Sequence, residues 1–228
     1  MAPRRRSAAL PPELLEVLAP ETVRAWKSLA TLLPRKLYLG GGTAVAVHLH
    51  HRESRDLDFF FHGGAVDLEA LATKLSKARR FAVTEESAGT LCGVFGDVRV
   101  EFFHADEARP QQLLEAPEVV GGLRVGGLKD LMAMKLKVVG ERGEMRDYYD
   151  IKVIEEQGHI TVEDGIALFL ERYSVRPESE TLRHIVAALG YLDDLEEDEA
   201  LPIGKDELAG WWTKRQVRLV RNLGRHPP

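Results

Sequence analysis

The chain has 228 residues, enough for one large domain or two small ones with a true core. Hydrophobic residues at 44% and charged residues at 29% exclude a largely disordered chain, and a formal charge of -5 argues against a generally basic nucleic-acid binder. Cys92 is the only cysteine, so no intrachain disulfide can form, and its neighbours Leu91, Val94 and Phe95 mark a buried, inert thiol.

Residues 1–12 read as a frayed basic arm. Pro11, Pro12 and Glu13 break the apolar run that a signal peptide requires, and no stretch has the length of a membrane span. A soluble, cytoplasmic protein is expected. Pro11-Pro12 then opens a helix over Glu13–Leu33, which Pro34 ends. Lys36–Leu39 is a short strand running into Gly40–Thr43, and Ala44–His51 is helical with Thr43 as its cap. Asp56–Phe61 has the apolar density of a buried strand. Val66–Arg80 is an amphipathic helix whose Leu68, Leu71, Ala72 and Leu75 share a face.

Three further strands follow at Phe81–Glu86, Thr90–Phe95 and Val98–His104, the last two joined by Gly96-Asp97 as a tight hairpin. Two short apolar pieces around Gly121-Gly122 suggest another hairpin. From Leu128 the pattern is helical: Leu128–Gly140, Arg146–Gln157, Val162–Tyr173, Ser179–Leu195 and Lys205–Leu223. The acidic run Asp193–Glu199 reads as a solvated loop. The fold class is therefore α+β: an arm and helix (1–35), an α/β core with a mixed sheet (36–126), and an all-helical half (127–228).

Asp56 and Asp58 carry the chemistry. Side chains two apart on a strand point to one face, so both carboxylates project together while Leu57 points away. Two such close carboxylates repel unless a cation or proton intervenes. Magnesium suits them, because it takes oxygen ligands from one or two carboxylates plus substrate phosphates. Glu101, on a strand expected beside Asp56–Phe61, is the candidate third ligand; three carboxylates on adjacent strands can bridge two metal ions. The plainer alternative is a set of surface acids on strands. Gly40–Thr43 lies between a strand and a helix, where bare amides at a helix N-terminus receive phosphate. Gly41, Gly42 and Thr43 would then grip the phosphates of a nucleotide, with Arg52 and Ser54 as nucleotide or acceptor contacts. No Gly-Lys-Ser/Thr follows, so this is not a Walker A loop.

Lys135 sits among Leu131, Met132 and Val139, where an unpaired ammonium is costly. It requires an anion: Asp147, Asp150 or a phosphate. The plainer alternative is a lysine–aspartate clamp tying two helices together. Arg142 and Arg146 read equally as solvated helix-end charges. His48, His50, His51 and His62 invite a zinc reading, but no partner motif with ligand spacing follows. Trp211-Trp212 reads as core plus an amphipathic edge.

Two ordered blocks make the sequence recognisable: Gly41-Gly-Thr-Ala-Val-Ala with His51 to Phe60, and Leu128 to Leu136 with Glu141-Arg142 and Arg146 to Ile151. Together they resemble the AbiEii/AbiGii toxin family of nucleotidyltransferases, within the polymerase-beta-like superfamily. The resemblance runs from about residue 36 through most of the chain. It implies Gly42 and Thr43 for nucleotide phosphates, Asp56 and Asp58 for Mg2+, and Lys135 for the nucleotide. Asp147 or Asp150 would support that lysine or the acceptor. The third carboxylate in the superfamily is often Asp or absent, so Glu101 departs from the pattern. The implied reaction is NMP transfer from NTP to an acceptor, such as a tRNA end or a protein hydroxyl. The implied setting is the toxin half of a toxin–antitoxin or phage-defence system with a separately encoded antitoxin. A small-molecule, aminoglycoside-type nucleotidyltransferase uses the same core, and a catalytically silent nucleotide-binding module is the alternative from another class.

Overall fold

A computed structural model describes residues 9–78, 81–105 and 111–225. The chain divides into two compact units: Met1–Gln111 with Ala116–Gly127, and Gln112–Glu115 with Leu128–Pro228.

The first unit is built on a seven-stranded mixed sheet. Its strands are β1 (Tyr38–Leu39), β2 (Leu57–Phe61), β3 (Phe81–Ser87), β4 (Thr90–Phe95), β5 (Val98–His104), β6 (Glu118–Val120) and β7 (Leu123–Val125), in the spatial order β3-β4-β5-β2-β1-β7-β6. β2 and β5 are parallel, as are β1 and β7; the remaining pairs are antiparallel. Alternation sorts the faces. Leu57, Phe59 and Phe61 are buried with Val98, Val100 and Phe102, whereas Asp58 and Phe60 are half-buried on the other side. Helices α1 (Pro20–Leu32) and α3 (Leu68–Lys77) pack on the sheet, and α2 (Gly41–Leu49) packs beside β2. Trp26 of α1 is wholly buried, its indole N–H donating to the Gly121 carbonyl at 3.3 Å.

The first helix departs from the sequence expectation. Instead of one helix from Glu13, a 3-10 turn spans Pro12–Leu15, Leu18 bridges to Ser54, and α1 starts at Pro20. Proline holds the preceding residue out of the helical region, and Ala19 is accordingly extended (ψ 150°). The β6–β7 hairpin turns on Gly121 and Gly122, both with positive φ (53° and 85°). Of the expected helix over Val66–Arg80, α3 is capped by Asp67, which accepts from the Ala70 amide, and its last residues, Arg79 and Arg80, lie outside the described residues.

The second unit is helical: α4 (Leu128–Glu141), α5 (Met145–Gly158), α6 (Val162–Tyr173), α7 (Glu180–Ala188) and α8 (Lys205–Arg225). α4 is its centre, packing on α5, α6 and α7. Helix α7 stops well short of Leu195. Gly190 follows its cap, and a Cβ there would overlap the Gln216 side chain, so the chain turns under α8. No helix of the described residues is long and apolar enough to cross a membrane.

Candidate active site

β1 ends at Leu39, and the Gly40 amide continues the ladder by donating to the Asp58 carbonyl at 2.8 Å. Gly41 then takes φ +63° and starts α2 directly. Here the structure corrects the sequence. Thr43 is not the cap of a helix starting at Ala44; Gly40 is the cap residue, and Thr43 lies inside the first turn. A left-handed glycine lets the chain turn from strand to helix within one residue. The same turn drives the Gly41 Cα against the Asp58 side chain: a Cβ at Gly41 would overlap an Asp58 carboxylate oxygen and lie 3.0 Å from Cγ. The Asp58 carboxylate thus abuts the N-terminus of α2, where the helix dipole favours negative charge.

Thr43 and Ser54 are buried, and their hydroxyls share a 2.7 Å hydrogen bond. The Thr43 hydroxyl also donates to the Asp56 carbonyl, and the Ser54 amide donates to Val17 at 2.9 Å. Both hydroxyls therefore hold the approach to β2 in place. Asp56 precedes β2 and Asp58 is its second residue; both are half-buried. Arg52, also half-buried, donates to the Glu53 carbonyl at 3.2 Å.

Glu101 is the register partner of Asp58 on parallel β5, so the two side chains sit side by side on one face. Its carboxylate, however, accepts from Arg99 at 3.0 and 2.7 Å. That hydrogen bond and the Glu101 charge raise the Arg99 pKa, with a smaller contribution from Asp56. Burial, aided by the Glu101 charge, pushes the Cys92 thiol up to about 11, which fits the inert thiol expected. Among the described residues, no three His, Cys, Asp or Glu side chains form a metal-holding group. Asp56 and Asp58 are carboxylates that could hold a magnesium ion completing its shell with phosphate and water. His48 is structural, its Nε2 bonded to the Gly126 carbonyl at 2.7 Å, and His62 shares a 3.2 Å hydrogen bond with the Tyr38 hydroxyl.

In the helical unit, Lys135 is buried and its Nζ lies 2.7 Å from both Asp147 Oδ1 and Asp150 Oδ2. Asp147 and Asp150 are one helical turn apart on α5, and Asp147 Oδ2 also accepts the Glu144 amide at 3.0 Å. Arg146 pairs with Glu144 at 2.6 Å and Arg142 approaches it at 3.9 Å, both at the start of α5.

Comparison with known proteins decides the family. The profile of the nucleotidyl transferase AbiEii toxin family, Type IV TA system, matches residues 26–211. The chain belongs to that family. This member is a nucleotidyltransferase. It is 29% identical over 164 residues to an uncharacterized protein, aq_aa25, of Aquifex aeolicus, covering 71% of this chain and 76% of that one. Two solved structures share its fold. JHP933 from Helicobacter pylori aligns with a TM-score of 0.53 at 17% identity, over 95% of this chain and 96% of the other. The nucleotidyltransferase toxin MenT4 from Mycobacterium tuberculosis aligns with a TM-score of 0.55 at 21% identity, over 84% and 79%.

Three features of this AbiEii-family chain are absent from the sequence reading. Arg99 reaches Glu101 two residues along β5, a spacing that was visible as same-face charges. Asp130, wholly buried on α4, pairs with Arg172 of α6 and accepts from the Leu114 and Glu115 amides at 3.0 and 2.9 Å. Burial raises the Asp130 pKa against those hydrogen bonds. Arg215 of α8 joins Glu155 and Glu163, and no local pattern announces either of these long-range networks.

Proposed function

We propose that this toxin-family enzyme moves an NMP group from a magnesium-bound NTP to a hydroxyl on an RNA end or a protein. The observation that carries this reading is the Gly41–Asp58 approach, which sets an acid against a helix N-terminus within one unit, with Asp56 two residues before it in the chain. Asp56 and Asp58 would hold the metal. The first amides of α2, at Gly41, Gly42 and Thr43, have no intrahelical acceptor and suit the triphosphate. When bound, magnesium neutralises phosphate charge and lowers the pKa of the attacking hydroxyl. The acceptor oxygen attacks the α-phosphorus, the bond to the bridging oxygen breaks, and pyrophosphate leaves. Thr43 and Ser54 act as positioning residues, fixing the backbone that carries Asp56. The resemblance gives Lys135 to the nucleotide, with Asp147 and Asp150 orienting its ammonium. Membership of a toxin–antitoxin family supports a separately encoded antitoxin as its partner.

Incubation with each labelled NTP, magnesium and total cellular RNA and protein tests the proposal. Label in RNA or protein, lost in Asp58→Asn, is expected. Label in neither fraction from any NTP overturns it.

A further inference from the structure

The acids do not occupy their sheet face alone. β1, β2 and β5 pair so that Tyr38 registers with Phe60, and Phe60 with Phe103. Register partners share a face, and Phe60 follows Asp58 by two residues, as Phe103 follows Glu101. One rung of the sheet is thus acidic, Asp58 beside Glu101, and the next is aromatic. Ring centroids lie 5.9 Å apart for Tyr38 and Phe60 and 5.3 Å apart for Phe60 and Phe103, at shallow tilts of 31° and 30°. His62 extends the strip, stacked on Tyr38 at 5.7 Å and 10°. Phe59, Phe61 and Phe102, on the opposite face, are no more than 2% exposed, whereas Phe60 and Phe103 stay half-buried.

We propose that Phe60 and Phe103 form the stacking platform for the base of the incoming nucleotide. This rests on the reading of Asp56 and Asp58 as the metal site. With phosphate held at the acidic rung, the aromatic rung lies two residues farther along each strand, roughly 6.6 Å away. One pentose joins phosphate to base across such a gap. Gly41 lies against Asp58, so the α2 amides take the triphosphate at the acidic rung while the base is left to the next. Tyr38 is only 1% exposed, so Phe60 and Phe103 are the rings of the strip that a base can reach; contact with apolar rings serves any base, so discrimination among the four NTPs at this platform is weak.

Cross-strand aromatic pairs also stabilise a sheet without any ligand. Leucine separates the two roles, because it keeps apolar bulk and removes the π-face. Binding of magnesium–ATP and of magnesium–tripolyphosphate is measured on the full chain for wild type, Phe60→Leu, Phe103→Leu and Asp58→Asn. The expected result is about a tenfold loss of ATP affinity in each leucine variant with tripolyphosphate unaffected. Unchanged ATP affinity, or an equal loss for both ligands, overturns the platform while leaving the metal site standing. Wild-type affinity for ATP in Asp58→Asn overturns the metal-site reading itself, and the platform with it. A second measurement needs no variant: 2-aminopurine riboside triphosphate bound to wild type with magnesium should lose fluorescence by stacking. Undiminished fluorescence on binding overturns the platform even if the leucine variants fail to fold.

Discussion

Gly41 and Asp58 touch: the glycine Cα lies so close to the aspartate carboxylate that no side chain fits between them. The contact joins a left-handed turn (φ +63°) to an acid on the neighbouring strand, so backbone conformation and candidate metal ligand are set together. Gly41→Ala meets two penalties: a strained φ and a collision with Asp58. Gly63 also has positive φ (57°) but has nothing within 4 Å of an added Cβ. Gly63→Ala should therefore show backbone strain only, about 1–2 kcal/mol, with transfer activity preserved. Gly41→Ala should lose at least as much stability and about a hundredfold in transfer. Thermal melting and a labelled-NTP assay on both variants check this; equal activities would show that the Gly41–Asp58 contact is dispensable.

The three carboxylates should separate in a magnesium titration. Asp56→Asn and Asp58→Asn should each abolish metal-dependent NTP binding. Glu101→Gln should weaken it by no more than a few-fold, because that carboxylate is hydrogen-bonded to Arg99. Arg99→Gln sharpens the comparison: it frees Glu101 and removes a cation close to Asp56. Tighter magnesium binding is expected, and weaker binding would mean that Arg99 itself holds phosphate.

The helical unit contains a pH-dependent contact. Arg215 on α8 donates to Glu155 at 2.6 and 2.8 Å and to Glu163 at 3.2 Å. Burial pushes the Glu163 pKa up, but hydrogen bonds from Arg215 and Asn222 outweigh it and hold the value below 4.5. A carboxylate whose pKa is depressed by folding contributes stability above its unfolded value, and that contribution is lost as pH falls through the folded value. Arg215→Met should cost about 2 kcal/mol at pH 7, allowing for partial exposure of both acids. Urea unfolding at several pH values should show the gap from wild type narrowing below about pH 4.5. A gap independent of pH would mean that Arg215 acts through packing alone.

How much of this was legible in the sequence depends on the range of the interaction. The alternation of Leu57, Asp58 and Phe59 shows in a period of two, and the acidic face follows from it. The Gly121-Gly122 hairpin announces itself through turn chemistry. The failures are equally local in origin. Pro11-Pro12 offered a helix start at Glu13, although it is Pro20 that carries the boundary of α1. Thr43 looked like a cap because it precedes an apolar run, yet the glycines ahead of it allow the helix to begin sooner. Contacts such as Asp130–Arg172 join residues 42 apart, and no local pattern encodes which acid meets which arginine.

Lys135 is the residue on which clamp and catalyst diverge. Its ammonium lies between two carboxylates at 2.7 Å each, with all three side chains at most 8% exposed. Lys135→Met leaves Asp147 and Asp150 facing each other without a cation, and breaking a buried pair from one side costs about 3–5 kcal/mol. Loss of activity in that variant alone would therefore prove nothing beyond misfolding. Adding Asp147→Asn and Asp150→Asn removes the stranded charges, so the triple variant should recover most of the stability. Transfer in the triple variant, set against the Asp147→Asn/Asp150→Asn double variant that keeps the lysine, is then decisive. If Lys135 contacts charge that develops on the phosphates, activity should stay at least a hundredfold below wild type in a protein that melts normally. Near-wild-type transfer would establish the lysine as a helix-to-helix tie and remove it from the catalytic set.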